Sequence, residues 1–209
     1  VYKRQVYNKA NCEKWGISEV NDLESFEAYC DASVKNGIYP INGNAEVAMD
    51  FYHMLEQTTG NWVPAPGIAS NEMYLMCENY HSPEKIIHPA FTEEFEQFVI
   101  KLDEWSKKGY WPTDILSAST GDKEMYKNGQ CTSYITHMGD WTGNYTAIHG
   151  QLPDQDIDAW YFAEDNNKVM KSSPAQDLTV INVNSKYPER CLMAIEKFIT
   201  DESYYRLWQ

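Results

Sequence analysis

A tryptophan stands close to a carboxylate or an amide at four places in the sequence. The pairs are Asn61 with Trp62, Trp111 with Asp114, Asp140 with Trp141, and Asp158 with Trp160. An indole plane can stack on the apolar C–H face of a sugar ring, while nearby carboxylates and amides hydrogen-bond to the sugar hydroxyls. Packing in a core is the alternative for each tryptophan taken singly. For the set, we expect at least one of the four to contact a neutral polar ligand.

Signatures of catalysis and of metal binding are absent from the sequence. It contains no GxSxG, HExxH, P-loop or GxGxxG motif. His81 and His88 have Pro83 between them and do not show a zinc-ligand spacing. With 31 acidic residues, some pair will always be compatible with a glycosidase dyad, so a pair of acids carries no information. We therefore expect no catalysis, no bound metal and no cofactor.

The charge balance excludes further classes of function. The 209 residues include 17 basic and 31 acidic side chains, which gives a net charge of −14. Nucleic acids and anionic membrane surfaces attract basic patches, so we expect neither as a partner. The five cysteines are odd in number and form no CxxC motif, which favours buried or reduced thiols over a disulfide framework.

Hydrophobic periodicity predicts helices that alternate with short strands, a pattern typical of an α/β fold. Predicted helices cover residues 22–36, 45–57, 92–108, 122–127 and a C-terminal segment with Pro188 in its first turn, and residues 73–79 are compatible with a helix. Predicted strands cover residues 37–43, 130–138, 157–163 and 178–184, with a loop over 61–71 and irregular structure over 81–89. Asn21 is the expected N-cap of the first helix, with Glu24 closing a capping box.

Two helices carry a clear apolar stripe. In the helix over residues 92–108 the stripe consists of Phe95, Phe98, Val99, Leu102 and Trp105. In the C-terminal helix it consists of Leu192, Ile195, Phe198 and Ile199. We expect both stripes to face a core, because three- and four-residue spacing places these side chains on one side of a helix.

Both ends of the sequence have unusual features. Residues 1–5, VYKRQ, match a translation of the end of a transposase adapter used in shotgun sequencing, and we interpret them as an adapter scar. Such a scar lies outside any fold argument, and we expect the native sequence to begin near Val6. The last residues, ESYYRLWQ, stop within a helical pattern, so we expect both ends to be cut.

Three stretches together resemble a known family. They are YNKANCEKWGISEVNDLESFEAYCDASVKNG, MYKNGQCTSYITHMGDW and SSPAQDLTVINVNSKYPERCLMAIEKFITDESYYRLW. Their order and spacing resemble the extracellular solute-binding proteins, family 1 type, of ABC sugar importers. WSKKGYWPTD is similar to an element of the lipoprotein sugar binders of Gram-positive gut bacteria.

The resemblance implies a periplasmic-binding-protein-like fold of type II, in which two α/β lobes close over a ligand by a hinge motion. The chain would then be incomplete and contain mostly the C-terminal lobe. Residues 6–176 would correspond to that second lobe without its start, after the expected adapter residues 1–5. Residues 177–209 correspond to a crossing strand and helices that return toward the missing first lobe, where the apolar face of the last helix would have its partner.

The function implied by the resemblance is binding of a carbohydrate, specifically an oligosaccharide, outside the cell. The ligand would be delivered to the permease membrane subunits of an ABC importer without catalysis, by a monomer. The expected location is the cell surface, as a lipoprotein, or the periplasm, with the signal and anchor missing from this chain. A glycoside hydrolase or lyase and a stand-alone carbohydrate-binding module are the alternatives.

Six residues are the predicted ligand-binding set. The resemblance places Tyr7 and Trp141 at positions where the family presents aromatic rings to the cleft, although Asp140 stands where maltose-type members have proline. Chemistry and loop placement add four more: Asp140, Trp111, Asp114 and Trp62.

Overall fold

The computed structural model describes residues 3–41, 63–64, 75–78, 84–114, 122–160 and 179–206. The chain forms two compact units, Val1–Lys171 and Ser172–Gln209. No helix within the described residues is long and apolar enough to cross a membrane.

The first unit alternates short strands with helices, as the periodicity predicts. Its strands are β1 (Lys3–Asn8), β2 (Val63–Pro64), β3 (Met76–Cys77), β4 (Ile86–Ile87), β5 (Ser133–His137) and β6 (Ile157–Trp160). Its helices are α1 (Ala10–Trp15), α2 (Leu23–Lys35), α3 (Glu93–Lys107), α4 (Asp122–Lys127) and α5 (Trp141–Gln151), with 3-10 turns at Pro89–Phe91 and Met138–Asp140. This architecture confirms the predicted mixed α/β class.

Strand β1 is the centre of the main sheet, whose order is β5-β1-β6 with antiparallel pairing on both sides. Val6 lies opposite Tyr134, and Tyr7 lies opposite Ser133. Because successive side chains of a strand point to opposite faces, Val6 and Tyr7 enter two different core clusters. The sheet therefore has a hydrophobic core on each face.

The first core cluster packs α2 and α3 against one face of the sheet. Its buried members are Tyr7, Cys12, Val20, Phe26, Tyr29, Cys30, Ile41, Phe98, Trp105, Tyr110, Ile135 and Trp160. The second cluster packs α4 and α5 against the other face, with Val6, Met125, Tyr126, Cys131, Tyr134, Ile148 and Ile157 buried. Both clusters are rich in aromatic side chains, which bury a large area for each residue ordered.

The first predicted helix forms, but its capping box involves other residues than expected. The N-cap is Asp22, whose Oδ1 accepts from the backbone N–H of Ser25 at 2.7 Å, while Ser25 Oγ accepts from the N–H of Asp22 at 3.1 Å. The prediction of Asn21 with Glu24 is wrong because the helix begins one residue later, and the serine hydroxyl closes the box. Gly37 follows the helix with φ +74°, a conformation that favours glycine.

The prediction of the helix over 92–108 is confirmed as α3. Thr92 caps it, its Oγ1 accepting from the N–H of Phe95 at 3.2 Å. Phe98 and Trp105 of the apolar stripe are buried, and Trp105 Nε1 donates to Glu27 Oε1 at 2.7 Å. Val99 is exposed, so its place in the buried face is a wrong prediction: α3 presents a narrower side to the sheet than the stripe suggests.

Three short strands form where the sequence predicts a helix, a loop and irregular structure. Residues 76–77 pair on both sides, with 63–64 and with 86–87, and the side chains of Met76 and Cys77 are buried. The predictions are therefore wrong at these positions: a helix over 73–79, a loop over 61–71 and irregular structure over 81–89. Strand pairing between distant segments outweighs local propensity here. The helix predicted over 45–57 lies outside the described residues.

Residues 3–5 belong to strand β1. Lys3, Arg4 and Gln5 pair with residues 137, 136 and 135 of β5. The Gln5 side chain is 0% exposed, and neither of its amide atoms has a hydrogen-bond partner. A buried amide without partners destabilises a fold by roughly 1–3 kcal/mol, so Gln5 is a poor match to its position.

The second unit contains α6 (Pro188–Thr200) and α7 (Glu202–Arg206). Pro188 occupies the first turn of α6, as predicted. The strand predicted over 178–184 is not formed at residues 179–184. The chain turns at Asn182 instead. The backbone carbonyl of Asn182 accepts a hydrogen bond from the N–H of Ser185 at 2.9 Å, and its side-chain oxygen accepts one from the N–H of Asn184 at 2.8 Å.

The apolar stripe of α6 forms, but no residue of this helix is buried. Ile199, for example, is 75% exposed, and Leu192 and Phe198 are exposed as well. The prediction that these side chains line a core is therefore not met in this structure.

All five cysteines are free thiols, and four of them are buried: Cys12, Cys30, Cys77 and Cys131. Burial raises the pKa of Cys12 to about 11, and it also raises the pKa of Cys30. A protonated buried thiol is unreactive. The predicted role of these four as small core residues is confirmed, whereas Cys191 is exposed.

Candidate ligand-binding site

The chain makes a tight corner where β5 ends and α5 begins. His137 is the last residue of β5, residues 138–140 form a 3-10 turn, and Trp141 opens α5. Asp140 and Trp141 therefore lie together at the carboxyl end of β5. Corners of this kind, held on rigid elements, commonly carry binding residues.

Two neighbouring side chains hold Asp140 at this corner, and a third lies nearby. Thr136 Oγ1 donates to its Oδ2 at 2.9 Å, and Lys123 Nζ lies 3.0 Å from its Oδ1. His137 Nε2 lies 3.8 Å from Oδ2. The carboxylate is thus oriented from α4 and from β5 at once, which fixes the direction of its remaining lone pairs.

The electrostatics keep Asp140 ionised. Partial burial acts to raise its pKa, but the hydrogen bonds from Lys123 and Thr136 and the positive charge of Lys123 lower it below the usual aspartate value. An ionised carboxylate only accepts hydrogen bonds. Asp140 is therefore suited to accept hydrogen bonds from the hydroxyl or amine groups of a ligand. It is not suited to act as a general acid near neutral pH.

Trp141 is half-buried, and it packs against the second core cluster. Asn144 and Ile148, one and two turns further along the same side of α5, are fully buried. Contact with the core fixes the indole, and the rest of its surface faces solvent. The exposed part of the ring can serve as an apolar platform at the corner that also carries Asp140.

Tyr7 lies elsewhere in the first unit. Its ring is buried and packs edge-on against Tyr29, with centroids 5.5 Å apart. Burial, followed by the negative charge of Asp158, raises the pKa of its hydroxyl. Tyr7 pairs with Ser133 at the amino end of β5, so the length of the strand, roughly 13 Å at 3.3 Å per residue, separates it from the corner.

The other predicted ligand residues are also apart from this corner. Trp111 is half-buried and packs against the first core cluster. Asp114 lines a groove together with Tyr39 and Gln130, which precede β5 rather than follow it. Trp62 lies outside the described residues. Of the predicted set, the structure brings together Asp140 and Trp141.

Sequence reasoning missed the residues that hold Asp140. Thr136 lies four residues before it, and Lys123 lies on a preceding helix. The Thr-x-x-x-Asp spacing across a strand end is a weak signal, and no spacing rule links α4 to this corner. Among the described residues, no group of three or more histidine, cysteine, aspartate or glutamate side chains could hold a metal ion.

The comparisons with known proteins match the fold rather than the sequence. No protein-family model matches the chain, and no curated protein matches it by sequence. An alginate-binding protein of known structure aligns with 76% of this chain and 32% of its own, with a TM-score of 0.58 and 10% identity.

Two sugar-bound structures align with nearly the whole chain. A sugar transporter from Bacillus licheniformis in complex with stachyose covers 98% of this chain and 51% of its own, with a TM-score of 0.56 and 15% identity. An ABC substrate-binding protein from Listeria monocytogenes in complex with cycloalternan covers 97% and 47%, with a TM-score of 0.57 and 14% identity. The chain thus has the α/β fold of solute-binding proteins and spans about half the length of these two.

Proposed function

We propose that this chain is most of the C-terminal lobe of a solute-binding protein that captures an oligosaccharide for an ABC importer. The observation that carries the proposal is the fold: the structures that it resembles over 97–98% of its length are bound to stachyose, cycloalternan and, for RafE, raffinose. The net charge of −14 favours a neutral ligand of this kind over an anionic one.

The proposed contacts are made at the corner between β5 and α5. Trp141 stacks on the C–H face of a sugar ring, and Asp140 accepts a hydrogen bond from one or two hydroxyls. Lys123 and Thr136 act on the ligand indirectly, because they hold Asp140 in place. Tyr7 is buried and supports the lobe from the core, and Trp111 and Trp62 remain proposed ligand contacts.

The domain organisation belongs to the same proposal. Residues 6–176 form the second lobe, and residues 177–209 return to a first lobe that covers the exposed side of α6. Three exposed apolar residues of α6, Leu192, Phe198 and Ile199, support this, because an exposed apolar stripe on one helix is a typical contact surface.

In the proposed mechanism, the two lobes exchange between open and closed arrangements. A sugar that contacts both lobes binds the closed form better and so shifts the population toward it. The closed, loaded monomer then docks on the permease membrane subunits, outside the cell or in the periplasm, as a lipoprotein in the former case. No bond of the sugar is broken.

Calorimetry tests this function and separates it from its alternatives. Raffinose is titrated into the 209-residue chain and into the two-lobed protein obtained by restoring the missing coding sequence, and the sugar is then recovered and analysed. The proposal predicts tight binding by the two-lobed protein, weak binding by the chain alone, and intact raffinose. Cleaved raffinose would indicate a hydrolase, and equal affinity of both proteins would indicate a stand-alone binding module.

A further inference from the structure

A groove lies at the other end of β5 from the Asp140–Trp141 corner. Its lining includes Tyr39, Asp114 and Gln130, and it has a volume of about 460 Å³. That volume is within the range of small-molecule sites. Gly129 and Gln130 lie just before β5, whereas Asp140 and Trp141 lie just after it, so the strand separates the two places.

Hydrogen bonds fix the wall of the groove that carries Tyr39. The carbonyl of Tyr39 accepts from the N–H of Thr132 at 3.0 Å, and the carbonyl of Ile38 accepts from Ser33 Oγ at 2.8 Å. Tyr39 also forms a parallel bridge with Cys131. This wall is therefore part of the sheet scaffold rather than a free loop.

The wall with Gln130 is also held by a backbone hydrogen bond. The N–H of Gln130 donates to the carbonyl of Met125 at 2.8 Å, which attaches it to the end of α4. The segment with Asp114 follows Tyr110, whose carbonyl accepts from the N–H of Ile41 at 3.2 Å. The Tyr39 and Gln130 walls are therefore already ordered, which limits the conformational entropy lost when a ligand binds.

The side chains in the groove combine an aromatic plane with hydrogen-bonding groups. Tyr39 is 42% exposed, and the exposed side chains of Asp114 and Gln130 offer a carboxylate and an amide. These are the groups that recognise a ring with an apolar face and a rim of hydroxyls. The acidic lining residue and the net charge of −14 disfavour an anion.

We propose that this groove is a second saccharide-binding site, separate from the Asp140–Trp141 corner. It binds a neutral sugar unit with its apolar face on the Tyr39 ring and its hydroxyls toward Asp114 and Gln130. The inference goes beyond the proposed transport function and does not depend on it, because the two sites share no residue.

The test is a titration of the isotope-labelled 209-residue chain with raffinose, followed by nuclear magnetic resonance. The backbone amide signals of Tyr39 and Gln130 report on the groove, and the indole N–H signal of Trp141 reports on the corner. Saturable shifts of the Tyr39 and Gln130 signals are expected. Tyr39→Ala should weaken this binding by about tenfold, as expected for loss of an aromatic anchor, whereas Tyr39→Phe should retain it.

Matched variants keep the two sites distinguishable. Asp114→Asn should weaken the groove site, and Tyr187→Ala, which removes another exposed tyrosine in the second unit, should leave it unchanged. If only the Trp141 signal shifts, the groove proposal fails while the proposed function stands. If only the groove signals shift, the proposed sugar contact at the corner fails while the groove proposal stands. Shifts with choline but not with raffinose would also overturn the proposal, since they would indicate a cation site.

Discussion

The two ends of β5 are stabilised by different chemistry. At the amino end, the buried Tyr29 hydroxyl lies 3.1 Å from the carbonyl oxygen of Asn8 and 3.3 Å from that of Thr132, and Ser133 Oγ donates to the Pro40 carbonyl at 2.7 Å. At the carboxyl end, Asp140 forms a half-exposed ion pair with Lys123 and accepts a hydrogen bond from the buried Thr136 hydroxyl. The amino end is thus built on buried neutral bonds that contribute stability, and the carboxyl end presents an oriented charge to solvent.

This contrast predicts that substitutions at the two ends change different measurements. Trp141→Ala in the two-lobed protein should cost about 2–4 kcal/mol of raffinose binding, because a central stacking aromatic is a typical hot spot. Calorimetry measures the loss. Trp141→Phe, which retains a ring, should lose less, and an unchanged affinity for Trp141→Ala would show that the corner does not contact the sugar.

Tyr29→Phe, at the amino end, should lower the stability of the chain and leave raffinose binding unchanged. It removes a hydroxyl that serves two buried carbonyls, and the expected loss is about 1–3 kcal/mol of unfolding free energy, with raffinose affinity at the corner retained. Urea denaturation of the chain measures it. Tyr145→Phe is the control, because Tyr145 is exposed, and an equal loss for both variants would contradict the prediction.

Gln5→Leu should stabilise the chain. Gln5 lies opposite Ile135 and Trp160 in the main sheet, and its amide is buried without partners. Leucine has a similar size and no polar group, so we expect a gain of roughly 1–2 kcal/mol in urea denaturation. Gln151→Leu changes an exposed glutamine and should have little effect. A loss of stability for Gln5→Leu would show that the amide is hydrogen-bonded.

Lys123→Met should have the smallest effect on affinity and a clear effect on pH dependence. The ion pair is half-exposed, so about a twofold to fivefold loss of raffinose affinity is expected. The pKa of Asp140 is lowered in the folded protein. As pH falls, the ionised carboxylate and the stability it contributes therefore persist through the usual aspartate pKa and are lost only below that value. Without Lys123 the pKa of Asp140 rises, because two of the contributions that lower it are lost, and binding should be lost at a higher pH.

Calorimetry across a pH series measures that shift. The matched control is Lys127→Met on the same helix, since Lys127 pairs with Glu124 rather than with Asp140. Identical pH profiles for wild type and Lys123→Met would mean that Lys123 does not control the ionisation of Asp140.

The difference between the ends of β5 also explains what the sequence could predict. Helices α2, α3 and α6 follow from caps and apolar spacing within one segment, and all three are found. Their details depend on geometry within one residue, as the Asp22–Ser25 box and the exposure of Val99 illustrate. Strands of two residues, such as Met76–Cys77, owe their existence to pairing with distant segments.

The candidate site shows the same limit. Adjacency in sequence identified Asp140 and Trp141, because a strand end followed by a helix can be recognised locally. The ion pair with Lys123 and the burial of Tyr7 depend on how α4 and α2 pack on the sheet. The separation of Asp114 from Trp141 likewise depends on the topology, which brings Tyr39 and Gln130 to the opposite end of β5.

The most direct test of the central claim is a crystal structure of the two-lobed protein with raffinose. The prediction is a sugar ring stacked on the Trp141 indole, with a hydroxyl oxygen about 2.5–3.0 Å from an Asp140 carboxylate oxygen. Raffinose bound elsewhere, with Trp141 and Asp140 free of contact, would contradict it.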